Sequence, residues 1–236
     1  CGDVDSFLVV FVHSRAGNYA NRALIRNTWG NPGNYPGTSM ELVFFIGYPD
    51  FKLNGALMRD ALQEMNHYQD TVLLPVLDTY KNVTKKALYA LEFIANNCQR
   101  TPFVLKADDD VVVNLFSIIS ILHLAQQGLL KPYPTAFRSP SPHSHATTLI
   151  PNELLMCLVW PNAKPYRNET NKWYISREVY PNDTYPLTCS GSAWIMSMSV
   201  MCEIQVESKD AEEFPFDDVL ITGFLPQKIG IRHLQI

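Results

Sequence analysis

Residues 103–114 read FVLKADDDVVVN, an apolar strand that runs straight into three consecutive carboxylates, Asp108, Asp109 and Asp110, and then returns at once to Val111, Val112 and Val113. In an extended segment residues two apart share a side, so Asp108 and Asp110 face one way and Asp109 the other. Like charges packed this closely repel. A hard divalent cation relieves that repulsion, because Mg²⁺ or Mn²⁺ is typically held by one or two carboxylates with water and phosphate oxygens completing the shell. A solvated acidic turn is the plain alternative. A calcium EF-hand is excluded, since its sixth and twelfth loop positions fall on Val113 and Ile119 rather than Gly and Glu.

Upstream of this stretch, short β-rich runs alternate with helical periodicity. SFLVVFV, ELVFFIG, TVLLPV and PFVLKA read as strands; YANRALIRNTW, NGALMRDALQEMNHY and NVTKKALYALEFIANN between them read as helices. Apolar strands of this kind are buried on both faces by helices, which predicts an α/β fold with a largely parallel sheet. A ligand site then belongs beyond the C-terminal strand ends, where the three aspartates sit. Downstream, NLFSIISILHLAQQG places Leu115, Ile118, Ile119 and Leu122 at helical spacing, with Asn114 as N-cap and Gly128 as stop. From 131 to 186 prolines, tyrosines, Trp160 and Trp173 replace periodic pattern, which predicts irregular loops and short antiparallel strands walling a site. SAWIMS reads as a late strand, MSVMCEIQVES as a helix, and DDVLITGFLPQKIG as a helix opened by acidic residues.

The chain has 236 residues, 47% of them hydrophobic, enough for one sizeable core and so for a single domain over 1–236. Its net charge of -4, with the basic residues scattered, gives no footprint for nucleic acid or an anionic membrane surface. The apolar runs FLVVFV and LLMCLVW are far shorter than the roughly 18 residues needed to cross a bilayer. Beginning at Cys1 without Met, the chain reads as a piece truncated at both ends. Five cysteines, Cys1, Cys98, Cys157, Cys189 and Cys202, contain no CxxC pair; one or two disulfides fit, with the odd count leaving a thiol over. Three glycosylation sequons, at Asn82, Asn168 and Asn182, stand against about two by chance and lean towards a secretory compartment.

Three further groups carry chemistry. Asp217 and Asp218 in FPFDDVL serve either as helix-capping charges or as a general base remote in sequence from the metal candidates. Arg22, Arg26 and Trp29 share one helix face after the first strand, either as ordinary surface arginines beside a buried Trp or as an anion site beside a stacking platform. Ser190, Gly191 and Ser192 in YPLTCSGSAW form a tight small-residue loop before a strand, either only a turn or a place where backbone amides approach a phosphate or sugar.

The motifs taken together resemble the β1,3-galactosyltransferase and β1,3-N-acetylglucosaminyltransferase family, Fringe-related Golgi enzymes. NRALIRNTWG resembles that family's RRxAIRxTWG, DTYKNVTKKALYALEF its DxYxNLTLKTLxxLxW, and FVLKADDDVVVN its FxxKxDDDVFVN. KWYISREVYPNDTYPLTCSGSAWIMS and FDDVLITG follow two more of its motifs in the same order. The resemblance implies a GT-A fold and an inverting transfer from UDP-Gal or UDP-GlcNAc to a glycan of a glycoprotein or glycolipid. It implies Mn²⁺, with Mg²⁺ as alternative, on Asp110 and Asp108. Nucleotide-sugar contacts fall on Arg22, Arg26, Trp29, Lys86, Asp108 and Asp109, with Asp218 as base. Ser190, Gly191, Trp194 and Asp217 fall on a donor and acceptor loop. The nucleotide-binding half spans about 1–130 and the acceptor-side half about 131–236. A Golgi-luminal domain with its membrane anchor upstream follows from the same resemblance. Asn82 reads as a helix cap within its sequon, and His233 does not replace a late metal-binding His of some relatives. His13 stands where many relatives carry Lys, Asn21 replaces the first Arg of RRxAIR, and Ser192-Ala193-Trp194 replaces a Gly-Gly-Tyr pattern. Two other readings stay open. Asp108-Asp109-Asp110-Val111 also resembles the strand-end motif of haloacid-dehalogenase-type phosphohydrolases, although that motif closes the first strand and this one about the fourth. A non-catalytic sugar-binding relative is the other.

Overall fold

The structure is a computed structural model that describes residues 5–49, 51–130 and 151–236. Cys1 and the first part of the proline-rich stretch, 131–150, lie outside the described residues.

Parallel β1 (Leu8–His13), β2 (Met40–Tyr48), β3 (Thr71–Leu77) and β4 (Phe103–Asp108) alternate with α1 (Tyr19–Asn27), α2 (Phe51–Tyr68) and α3 (Val83–Asn97). α4 (Leu115–Gln126) follows the aspartates; the Asn114 side chain caps it by accepting the Ser117 amide at 3.2 Å, and Gly128 ends it at φ 68°. Only glycine adopts that left-handed angle without strain. β5 (Leu155–Trp160), β6 (Thr188–Ser197), α5 (Met198–Ser208), α6 (Asp217–Val219), a π-helical turn (Leu220–Phe224), α7 (Leu225–Ile229) and β7 (His233–Gln235) complete the described chain.

The seven strands form one sheet in the order β3-β2-β1-β4-β6-β5-β7. β6 runs antiparallel to β4 and β5, and every other pairing is parallel, as the near-continuous apolar strands predict. β3 lies at one edge and carries an exposed Pro75. Strand alternation divides the core. Val9 and Phe11 of β1 face one layer with Ala87, Ala90, Leu91 and Ile94 of α3 and with α5; Leu8, Val10 and Val12 face the other, against Ile25 of α1 and Leu115, Ile119 and Leu122 of α4. These five of the six β1 residues are fully buried, so the strand cannot slip by one residue without exchanging its layers.

Two expectations change here. β6 begins at Thr188, so Ser190, Gly191 and Ser192 are strand rather than a loop before one. Pairing of Cys189 with Val159 and the Cys157–Cys189 disulfide hold this backbone extended. Asn82 precedes α3 without a side-chain cap; its amide donates instead to the Leu77 carbonyl at 2.9 Å. Among the described residues no helix is long and apolar enough to cross a membrane.

Candidate active site

β1 and β4 lie side by side in the interior of the sheet with His13 in register with Asp108, so the residues that follow each strand meet beyond its C-terminal end. Asp109 turns towards the chain leaving β1. Its carboxylate accepts the Ser14 hydroxyl at 2.5 Å and the amides of Asn18 at 2.9 Å and Asn21 at 3.4 Å. Asp108 faces the other way and pairs with Lys106 Nζ at 2.5 Å. Burial raises the Asp108 pKa, Lys106 opposes that, and the charges of Asp217 and Asp110 add to it. Asp110 is exposed and carries no hydrogen bond or ion pair with another described residue.

The second carboxylate pair, on α6 packed against β6, reaches the neighbourhood of Asp108. Lys106, a fully buried lysine in the middle of a strand, donates to Asp108 and also to the Gly191 carbonyl of β6. A Cβ at Gly191 would lie 3.2 Å from Asp218 Oδ2 and 3.3 Å from Asp218 Cβ, so a side chain there would push on the carboxylate. Lys106 therefore ties Asp108 to the stretch of β6 against which Asp218 lies. Burial and the neighbouring Asp217 push the Asp218 carboxyl up to about 6, against the pull of the Val219 amide and Lys106. Such a carboxyl is mostly ionised at neutral pH yet basic enough to accept a proton.

The Asp218 backbone is clamped too. Its carbonyl accepts the hydroxyls of Thr222 at 2.5 Å and Thr188 at 3.0 Å, while Thr222 Oγ1 accepts the Cys189 amide at 2.9 Å. The π-helical turn leaves the Thr222 carbonyl to bond His233 Nε2, which fixes that histidine in a structural contact.

The arginines do not form the expected anion site. Arg22 is wholly buried, and all five of its N–H donors are taken: Glu64 accepts two at 2.8 and 2.6 Å, Ser14 Oγ one at 2.8 Å, and the carbonyls of Arg15 and Ala16 the others. Arg26 pairs with Asp70 and Glu64, stacked over Phe44 and Tyr68. The helix face the two share meets α2, not solvent. Through Ser14 this network reaches Asp109, so the arginines support the site from behind. Trp29 is buried in the α1 and α4 layer, its carbonyl accepting the Tyr35 hydroxyl at 2.7 Å, and is no stacking platform. Trp194 is likewise buried, edge-on to Phe11 with centroids 5.5 Å apart, and forms floor rather than loop. Lys86 is buried and donates to Asp78 at 3.0 Å and to the Ser14 carbonyl.

His13 is buried between these lysines with neither ring nitrogen hydrogen-bonded, and burial with the charges of Lys106 and Lys86 pushes its pKa well below the ordinary value. Of the sequons, Asn168 and Asn182 are exposed, whereas Asn82 has its amide engaged. Ser14, Lys106, Thr188 and Thr222 escaped the sequence reading. A lysine inside an otherwise apolar strand was the one available signal.

Among the described residues no three His, Cys, Asp or Glu side chains converge on a ready-made metal cage. The donor set still suits a hard cation that brings its own phosphate ligands, because Asp110 offers an exposed carboxylate and Asp108 a second one nearby.

The pattern of the family described as Galactosyltransferase matches residues 20–138 and 144–236. Over 221 residues the chain is 31% identical to Beta-1,3-galactosyltransferase 2 of Homo sapiens, covering 94% of this chain and 47% of that protein. Over 229 residues it is 28% identical to Beta-1,3-galactosyltransferase 1 of Mus musculus, covering 97% of this chain and 62% of that protein. The chain thus spans about half to three fifths of the length of these relatives. Among solved structures, 4-diphosphocytidyl-2C-methyl-D-erythritol synthase from Anaerococcus prevotii aligns with 98% of this chain and 87% of its own, at 10% identity and a TM-score of 0.48, a likeness that carries no argument.

Proposed function

The chain belongs to the galactosyltransferase family, and from that premise we propose that it is an inverting β1,3-glycosyltransferase moving a hexose from a UDP-sugar to a hydroxyl of an acceptor glycan. The observation that carries the mechanism is the approach of two acidic clusters around Lys106, one ending in the exposed carboxylate of Asp110 and the other in the half-buried Asp218. The acceptor oxygen attacks the anomeric carbon as the bond to the UDP oxygen breaks, and Asp218 takes the proton that the hydroxyl loses. The electron pair of the broken bond leaves with UDP, and attack opposite that bond inverts the centre. Asp110 and Asp108 would hold Mn²⁺ or Mg²⁺, which when bound neutralises charge on the leaving diphosphate. Asp109 keeps the β1–α1 turn in place through Ser14 and Asn18. The names of the relatives favour galactose as the sugar, with N-acetylglucosamine as the alternative, and a glycoprotein or glycolipid glycan as acceptor. We place the domain in the Golgi lumen, with a membrane anchor upstream. Closure of the fourth strand in chain order by the aspartates, while the first ends in His13, argues against the phosphohydrolase alternative.

The test is Asp218→Asn in a chain extended to the length of the relatives. A positioned base contributes about 10² to 10⁴ in rate, so the variant should lose at least about a hundredfold in transfer while keeping UDP affinity, and wild-type product should be β-linked. Near wild-type transfer by the Asn variant, or an α-linked product, refutes the assignment.

A further inference from the structure

Each of the three glycosylation sequons has a tyrosine two residues before its asparagine: Tyr80 before Asn82, Tyr166 before Asn168 and Tyr180 before Asn182. The fold treats the three pairs differently. Tyr80, Lys81 and Asn82 form a single 3₁₀ turn, in which residues two apart face different ways, and the Asn82 amide is spent on the Leu77 carbonyl. Tyr180 is only 7% exposed, stacked on Tyr185 with centroids 5.0 Å apart and edge-on to Phe214 and Phe224. Tyr166, by contrast, is 49% exposed.

The backbone aims Tyr166 and Asn168 the same way. Tyr166 is extended, bridging to Tyr174, and its carbonyl accepts the Ile175 amide at 3.0 Å. Arg167 turns towards the segment's own backbone and donates to the carbonyls of Ile175 at 2.8 Å, Tyr180 at 2.8 Å and Asn182 at 2.7 Å. On an extended chain the neighbours of an inward residue turn outward together, and Tyr166 and Asn168 are both exposed. Asn168 Oδ1 accepts the Thr170 amide at 3.1 Å and the Thr170 hydroxyl at 2.9 Å, which fixes the side chain. Its Nδ2 carries no hydrogen bond among the described residues. Trp173 flanks the Tyr166 ring with centroids 5.5 Å apart, and the Lys172 ammonium sits over Trp173 rather than over Tyr166.

We propose that Asn168 carries an N-linked glycan whose first N-acetylglucosamine lays its apolar C–H face on the Tyr166 ring, so that the sugar becomes a packed part of the segment between β5 and β6. The co-reactant is a lipid diphosphate bearing an oligosaccharide. Asn168 Nδ2 bonds to its anomeric carbon as the bond from that carbon to the diphosphate oxygen breaks. The electron pair leaves with the lipid diphosphate, and one amide proton passes to a base of the transferring enzyme. A glycan at Asn182 meets no open ring at the same offset, which makes the pairing with Tyr166 particular to one site. The inference rests on the luminal placement proposed above and adds a covalent group that stabilises the fold.

The experiment sends the full-length protein into the secretory pathway of a cultured eukaryotic cell by a supplied signal, so that occupancy is read wherever the natural chain resides. Glycopeptide mass spectrometry should find Asn168 modified; an unmodified Asn168 overturns the proposal. Asn168→Gln should melt lower than wild type, and that gap should shrink by about 2 to 4 °C in a Tyr166→Ala background while persisting in Tyr166→Phe. The same gap in the Ala background overturns the contact. A second measurement needs no variant: protons of the first N-acetylglucosamine on Asn168 should move upfield in the folded protein relative to the same glycopeptide cut free by protease. Unshifted resonances overturn the contact too. None of these readouts involves donor or transfer, so their failure is distinguishable from failure of the Asp218 mechanism.

Discussion

Asp218 titrates in the folded protein at about 6, against an ordinary value of 3.8, because burial and Asp217 both disfavour its charge. The folded state therefore keeps a proton that the unfolded chain releases, and stability falls as pH rises between those two values. The penalty reaches about 3 kcal/mol above pH 6. Asp218→Asn should accordingly melt at a higher temperature than wild type at pH 7 and at about the same temperature near pH 3.5, while wild-type transfer rises with pH along an acid limb centred near 6. Thermal melts and rates across that range check both halves; a variant no more stable at pH 7 contradicts the burial of charge. His13 bears on neither comparison, being common to both proteins. At this scale the sequence was partly legible. The alternation rule placed Asp108 and Asp109 on opposite sides, as the structure has them. The spacing of Arg22 and Arg26 identified a shared helix face, but periodicity is silent on what that face meets, and Glu64 comes from a different helix.

Between Asp217 and Ile229 the sequence reads as one helix, and the structure inserts a π-helical turn at Leu220–Phe224. A one-residue slip in hydrogen-bond register leaves no trace in apolar spacing, so no pattern announced it. The turn places Thr222, fully buried, between the Asp218 carbonyl and the Cys189 amide. Thr222→Val keeps the shape and removes the hydroxyl, stranding the Cys189 amide. It should cost about 1 to 3 kcal/mol of stability and lower kcat with little change in UDP affinity. Thr222→Ser, which restores the hydroxyl, should recover both. If Val and Ser behave alike, the hydroxyl does not position Asp218. The βα alternation was the most legible feature of the elements, because each strand is apolar throughout and each helix shows its own stripe. β6 was read too short, since its first residues are small and polar and are held extended by β5 and a disulfide rather than by propensity.

Across the whole molecule, the parallel strands deliver the DDD cluster and the antiparallel β6 delivers Gly191 and the clamp on Asp218, and Lys106 of β4 joins the two strands at that point through the Gly191 carbonyl. The Cys157–Cys189 disulfide, with a sequence separation of 32, closes the loop that contains the irregular segment between β5 and β6, and Cys202 is free. Chain entropy assigns such a cross-link about 3 to 4 kcal/mol. Replacing Cys157 and Cys189 together by Ala should lower the melting temperature by roughly 6 to 15 °C, and an unchanged melt would show that segment to be self-sufficient. Cysteine pairing was beyond the sequence, which supplies spacings and no distances. The exposed Pro75 on the edge strand β3 has a different consequence. With no amide hydrogen there to offer a passing strand, the rim is a poor template for intermolecular β-pairing, and a protein handled at high concentration is shielded from aggregation along that side.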